Sequence, residues 1–363
     1  MLGAAFLALT AADPARALVI DAGYDSSITS SPDSADIEAS ITTALDDIER
    51  LYSNPGTVNI LFNIASGSFL GESQSSLYGD SYGDYTSLLA ADAAVNPANT
   101  VLSTAVANLS YGNDSDGSRP IFATSALFRV ALGDSAATPC FDAGGTLQPS
   151  CGQLYDGVVT LSSNSQIMYT RPLPAYNSHT DNVAFDAVSI IEHEVDEVLG
   201  GGGSGSSLNA VAAFGLNSDS DPLTSYDGAL DLYRYAAPYT PGFTTDPSAT
   251  AYLSVDGGRT DIVGFNQYSQ GDFGDFGPPT TCPSDPVYLG GPVGDVQDAF
   301  TCPNLVADET ALSPEYKMLE AIGYDPAPEP GSLALLTVAI AGLLAVRRRG
   351  ASVPGRYPAS PAT

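Results

Sequence analysis

An apolar run from Phe185 to Leu199 stops against four consecutive glycines, Gly200 to Gly203. Ala184, Ala187, Val188, Ile191, Val195, Val198 and Leu199 recur at the spacing of one helical stripe, so the segment predicts an amphipathic helix with a glycine-terminated end. Residues four apart on a helix share a face, which puts His193 and Glu197 together, nearly opposite the apolar stripe, with Glu194 beside them. Two readings follow from that placement. Either His193, Glu197, Asp186 and Asp196 form a solvated acidic face, or His193 and Glu197 grip a metal ion.

The rest of the chain offers little competing chemistry, with two histidines, no tryptophan and Lys317 as its lysine. A length of 363 residues at 44% hydrophobic content is enough to bury a large core. Charged residues make up 15%, and Ser, Thr, Asn, Gly and Tyr replace them as surface formers. The formal net charge of -30 excludes nucleic acid as a partner, because phosphate binding depends on Lys and Arg releasing counterions. It argues equally against docking on anionic lipid heads.

Both ends read as addresses. Residues 1–17 are expected to be a signal peptide: Leu2 to Ala12 is apolar, and Ala15-Arg16-Ala17 gives the small-x-small pattern of a cleavage site before Leu18. Near the other end, Pro328-Glu329-Pro330 precedes the uncharged run Gly331 to Val346, and Arg347-Arg348-Arg349 follow. A helix over that run spans roughly 24 Å, slightly short of a hydrocarbon core, and the arginines would keep its far end cytoplasmic. The order resembles the PEP-CTERM sorting signal of Gram-negative bacteria, here over residues 326–350, with 351–363 as a short tail. That resemblance implies export to the cell surface or medium, transient inner-membrane anchoring, and recognition by a sorting protease of the exosortase type. A plain membrane anchor would place the domain on the same side. Four cysteines suit an oxidising compartment, and the local pairs Cys140–Cys151 and Cys282–Cys302, each in loop-forming sequence, are the simplest of three pairings.

Between the ends, Leu18–Ile20 predicts a strand, and Ile37, Ile41, Leu45, Ile48 and Tyr52 mark a helix face. Val58, Ile60, Phe62 and Ile64 alternate as a strand. The Ser, Gly and Tyr-rich passage 66–85 carries no periodicity, helical segments run to about Leu109, and 158–161 and 166–169 read as short strands. After the glycine run come loops and short strands, then a helix near Pro314–Ile322. The order predicts an α+β domain over 18–325 with a mixed sheet, a central helix and an irregular C-terminal lobe.

The central helix resembles that of the zincin metalloproteases, which carry His-Glu-x-x-His, and His193-Glu194-Val195-Asp196-Glu197-Val198-Leu199-Gly200 departs from it at Glu197. The chain is more similar still to predicted bacterial metalloproteases with His-Glu-x-x-Glu-x-x-Gly. Further likenesses are Leu230-Asp231-Leu232-Tyr233-Arg234-Tyr235, Ser254-Val255-Asp256-Gly257-Gly258, Gly271-Asp272-Phe273-Gly274-Asp275 and Ile322-Gly323-Tyr324-Asp325. The resemblance implies a zincin-like domain, a zinc ion on His193 and Glu197, and Glu194 as general base of a peptide-bond hydrolase. The third ligand of a metzincin would fall on Gly203, which has no side chain, so Asp231 is the expected substitute and His179 the alternative. Tyr233 and Tyr235 are candidates to bind an oxyanion. Asn217, Asp219 and Asp221 are a weak match to a calcium loop, and Ser81, in Gly79-Asp80-Ser81-Tyr82-Gly83, is a weak nucleophile candidate. Two functions stand: a secreted zinc endopeptidase acting on a peptide or protein, and a non-catalytic surface or biofilm-matrix protein keeping the fold.

Overall fold

The computed structural model describes residues 18–110, 112, 117–174, 183–209, 226–277 and 295–328. In chain order these form β1 (Leu18–Tyr24), α1 (Ser26–Thr29), α2 (Ser34–Glu49), β2 (Gly56–Ala65), β3 (Gly71–Ser75), β4 (Leu77–Asp80), α3 (Tyr82–Val95) and α4 (Thr100–Val106). There follow β5 (Ile121–Thr124), β6 (Gly157–Ser162), β7 (Ile167–Met168), β8 (Phe185–Asp186), α5 (Ala187–Leu199), β9 (Asp227–Gly228), β10 (Arg234–Ala237), β11 (Thr240–Pro241), β12 (Tyr252–Leu253), β13 (Val263–Gly264) and α6 (Pro314–Ala321). The chain is mixed α+β with several small sheets, as the sequence predicts.

The main sheet has the order β1-β2-β6-β3. The first three strands run parallel, and β3 pairs antiparallel with β6 as the last strand of the sheet. Val58, Ile60 and Phe62 of β2 are fully buried, which is why that strand alternates in sequence. Helices α2 and α5 pack on this sheet and on each other, so Ile37, Ile41, Leu45 and Ile48 share one core with Ile191, Val195 and Val198. The expected irregular lobe after α5 holds the antiparallel sheet β11-β10-β12-β13.

Two expectations change. The passage 66–85 holds β3, β4 and the start of α3, although nothing in its periodicity marks them. Helix α5 has no solvated face: every residue from Ala187 to Leu199 except His193 is buried. Its N-terminus is capped by Asp186, whose carboxylate accepts from Ser189 N and Oγ and is held by Arg171 Nε and Nη2. Its C-terminus turns off on Gly200 in the left-handed conformation at φ 105°, where the N–H of Gly201 donates to Asp196 O.

The described residues up to Pro326 lie in one compact unit. No helix among them is long and apolar enough to cross a membrane. The expected signal peptide and the apolar run 331–346 lie outside them.

Candidate metal centre

One helical turn of α5 brings His193 and Glu197 onto a common edge, and the tertiary fold supplies a third donor there. His193 Nε2 lies 3.8 Å from Glu197 Oε1 and 3.6 Å from Asp275 Oδ2. One donor atom from each of the three residues falls within 4.8 Å of the others, a separation that one ion can bridge. His193 Nδ1 lies 2.9 Å from the carbonyl of Val296. A carbonyl only accepts, so Nδ1 carries the proton and Nε2 presents its lone pair toward the carboxylates. Metal-binding imidazoles are fixed in this way.

The surrounding hydrogen bonds hold the carboxylates in place. Glu197 Oε1 accepts from Gly203 N at 2.9 Å, and Oε2 accepts from Ser73 Oγ on β3. Gln297 Nε2 is 3.0 Å from Asp275 Oδ1 and 3.2 Å from His193 Nε2. Gly203 has no side chain because a Cβ there would stand 2.5 Å from both Asp272 Oδ2 and Glu197 Oε1. The glycine run is thus a close-packed wall of the site.

The electrostatics are those of crowded, buried acids. Burial first, and the Asp272 charge second, push Glu197 up to about 8. Glu194 is raised by burial and then by Glu197, Asp275 and Asp272, and Asp275 by burial and then by Glu197 and Asp272. Burial lowers His193, favouring neutral imidazole. Four buried carboxyl groups that disfavour one another's charged forms, beside an imidazole kept neutral by burial, are the arrangement a divalent cation reverses. The donor set, one nitrogen and carboxylate oxygens, suits zinc.

The expected residues divide into those at the centre and those elsewhere. His193, Glu194 and Glu197 are together. Asp231 is not with them: its carboxylate accepts from Ser206 Oγ, Ser207 N, Ser207 Oγ and Gly228 N. Asp275, in the Gly271–Asp275 segment, takes the place next to His193, and Asp272 faces Glu197. His179 and the Asn217, Asp219 and Asp221 group lie outside the described residues. The phenols of Tyr233 and Tyr235 donate to Ala321 O and Asn108 O. Ser81 caps α3, with Oγ accepting from Asp84 N and donating to Asp84 Oδ2. Cys140 and Cys151 form the expected disulfide. Cys302 is also disulfide-bonded, and Cys282 lies outside the described residues.

Arg234 is a buried cation behind the centre that no local pattern in the sequence marks. It is 1% exposed, stacks 4.5 Å above the Phe265 ring, and donates from Nη1 to Phe273 O at 2.6 Å. That bond fixes the backbone between Asp272 and Asp275. Its neighbour Asp231 ties residues 206–207 to 228, so the Leu230–Tyr235 segment supports the centre from behind.

A family model described as the PEP-CTERM protein-sorting motif matches residues 326–349. The chain carries that sorting signal. It is therefore an exported, surface-sorted protein, and the motif implies recognition by an exosortase-type sorting protease. Comparison with curated proteins and with solved structures gives no match.

Proposed function

We propose that the chain is a surface-sorted zinc-dependent endopeptidase of zincin-like architecture, with His193, Glu197 and Asp275 as metal ligands and Glu194 as general base. The observation that carries this reading is the convergence of one tautomer-fixed imidazole and two buried carboxylates. When bound there, zinc would supply polarisation of a scissile carbonyl and acidification of the attacking water. Glu194, one residue after His193, takes a proton from that water on its carboxylate and returns it to the leaving amine. Edge strand β3 adds the means to orient a substrate. Among the described residues it has a single strand neighbour, β6, and it touches the centre through Ser73 and Gly71. An extended peptide pairing with its other side would run past Glu194.

A second reading, a non-catalytic surface protein, is favoured by Gln297. Its amide links His193 to Asp275 and closes the group by hydrogen bonds alone.

Metal analysis separates the two. Protein purified without chelator is expected to hold one zinc per chain, which His193→Ala loses. Glu194→Gln is expected to keep zinc while hydrolysis of an unfolded protein substrate falls by about 10²- to 10⁴-fold. Equal, negligible zinc in wild type and His193→Ala removes the enzyme reading.

A further inference from the structure

Next to His193 on α5, Glu192 belongs to a second group of acids that the peptidase reading does not use. Asp47 of α2, Glu192 of α5 and Asp308, in the loop before α6, each place a carboxylate oxygen within 4.8 Å of the others. Glu192 is 0% exposed. Its Oε2 accepts from Glu309 N at 2.9 Å, but its buried Oε1 has no hydrogen-bond partner among the described residues. A buried carboxylate oxygen without a partner carries the full desolvation cost, so its place in the fold requires something that satisfies it.

Two arginines border the group. Arg171 Nη1 donates to Asp308 Oδ1 at 2.6 Å, and Arg50 pairs with Asp47 Oδ1 from an exposed position. Arg171 is already met by Asp186 through two hydrogen bonds, so Asp308 adds a carboxylate beyond what that arginine neutralises. Behind Glu192 the excess grows. Both oxygens of Asp196, Oε2 of Glu309 and Oε2 of Glu315 are buried and unpartnered. The charges acting on Asp196 are those of Glu309, Glu315, Glu192 and Glu197, all acidic.

We propose that Asp47, Glu192 and Asp308 bind a calcium ion that ties α2, α5 and the loop before α6 together. The donors are oxygen only, which selects a hard cation over zinc. Three side-chain oxygens are too few to enclose calcium, which takes six to eight. Asp308 is exposed and Asp47 half-buried, so water completes the shell from that side. Calcium suits such an irregular, part-hydrated site better than magnesium, which demands near-ideal octahedral geometry. The site does not depend on the peptidase reading, since none of its donors is a zinc ligand.

The test uses the full chain, freed of calcium on a chelating resin and titrated calorimetrically with calcium chloride. Wild type is expected to bind one calcium, and at hundredfold excess over Kd its Tm is expected to rise by roughly 5 °C or more. Asp47→Asn, on a half-buried helix position, and Glu192→Gln should each weaken calcium binding at least tenfold, whereas Asp275→Asn should bind calcium as wild type does. If Glu192→Gln does not fold, Asp47→Asn decides. The proposal is overturned by absence of binding and Tm rise at millimolar calcium, by unchanged affinity in Asp47→Asn, or by an equal effect of magnesium, which would mean diffuse screening of acidic surface.

Discussion

Replacing Asp231 and Asp275 in turn should produce effects of different kinds, because the two carboxylates differ in what surrounds them. Asp231 accepts four hydrogen bonds, from Ser206 Oγ, Ser207 N, Ser207 Oγ and Gly228 N. Hydrogen bonds to a charged group contribute about 1.5–3 kcal/mol each, and those sharing one acceptor are not additive. Asp231→Ala therefore costs roughly 4–6 kcal/mol, a Tm loss of roughly 10 °C in a domain of this size. Asp275 accepts one side-chain bond, from Gln297, and sits among acids that raise it. Asp275→Asn relieves that crowding, so the metal-free protein should unfold at an unchanged or higher Tm while bound zinc falls at least tenfold. Calorimetric Tm on metal-free protein and zinc content on protein purified without chelator read the two effects separately. If Asp231→Ala loses zinc at unchanged Tm while Asp275→Asn retains it, the third ligand has been misassigned.

Two further outcomes follow from the same geometry. A Cβ on Gly71 would stand 2.3 Å from Glu194 Oε1, so Gly71→Ala should displace the base and lower peptidase turnover by about 10²-fold with zinc content unchanged; full turnover in that variant would remove Glu194 from the reaction. Burial raises Glu315 and Glu320 to about 7 and Asp298 to about 8, so the folded chain holds protons that the unfolded chain has released above about pH 4.5. Stability in metal-free buffer is therefore fully present at low pH and declines as pH rises through 7 to 8; a Tm that climbs between pH 5 and 8 contradicts this.

The parts legible in the sequence are those whose periodicity reports their burial. Helix α2, strand β2 and helix α5 lie where Ile41, Phe62 and Val195 recur, because each buries an apolar stripe or face in one core. Strand β3 was hidden because Gly-Glu-Ser-Gln-Ser has no apolar alternation, and its extended form comes from pairing with β6. Asp275, the proposed third ligand, is hidden for a related reason. Asp275 lies in a glycine-rich loop held by tertiary bonds: Asn266 N donates to Asp275 O, Asn209 Oδ1 accepts from Phe273 N, and Arg234 grips Phe273 O. No local pattern encodes such bonds. The Gly271–Asp275 likeness is the one sequence signal for Asp275, while Asp231 of the Leu230–Tyr235 segment is held by Ser206, Ser207 and Gly228.

Helix α5 also shows why a helical wheel misjudges an acid-rich helix. A solvated acidic face is one of the two readings its pattern allows because nothing local marks a cover, yet residues 295–309 lie across it through Val296, Gln297, Ala307 and Glu309. Covering that side buries Glu192, Glu194, Asp196 and Glu197 in one helix. An exported chain with a net charge of -30 and one lysine has few side-chain cations to neutralise them, and Arg171 is already engaged by Asp186. Four buried carboxylates without cations would cost more than a marginally stable domain can bear. Proton uptake meets part of that cost, at the expense of stability near neutral pH. The two proposed cations would meet it without that penalty, sorted by hardness through adjacent residues: nitrogen plus oxygen around His193, oxygen alone around Glu192. On this argument the acidity of α5 is a single feature with two ions as its counterpart, and a chain lacking both would be most stable in acid.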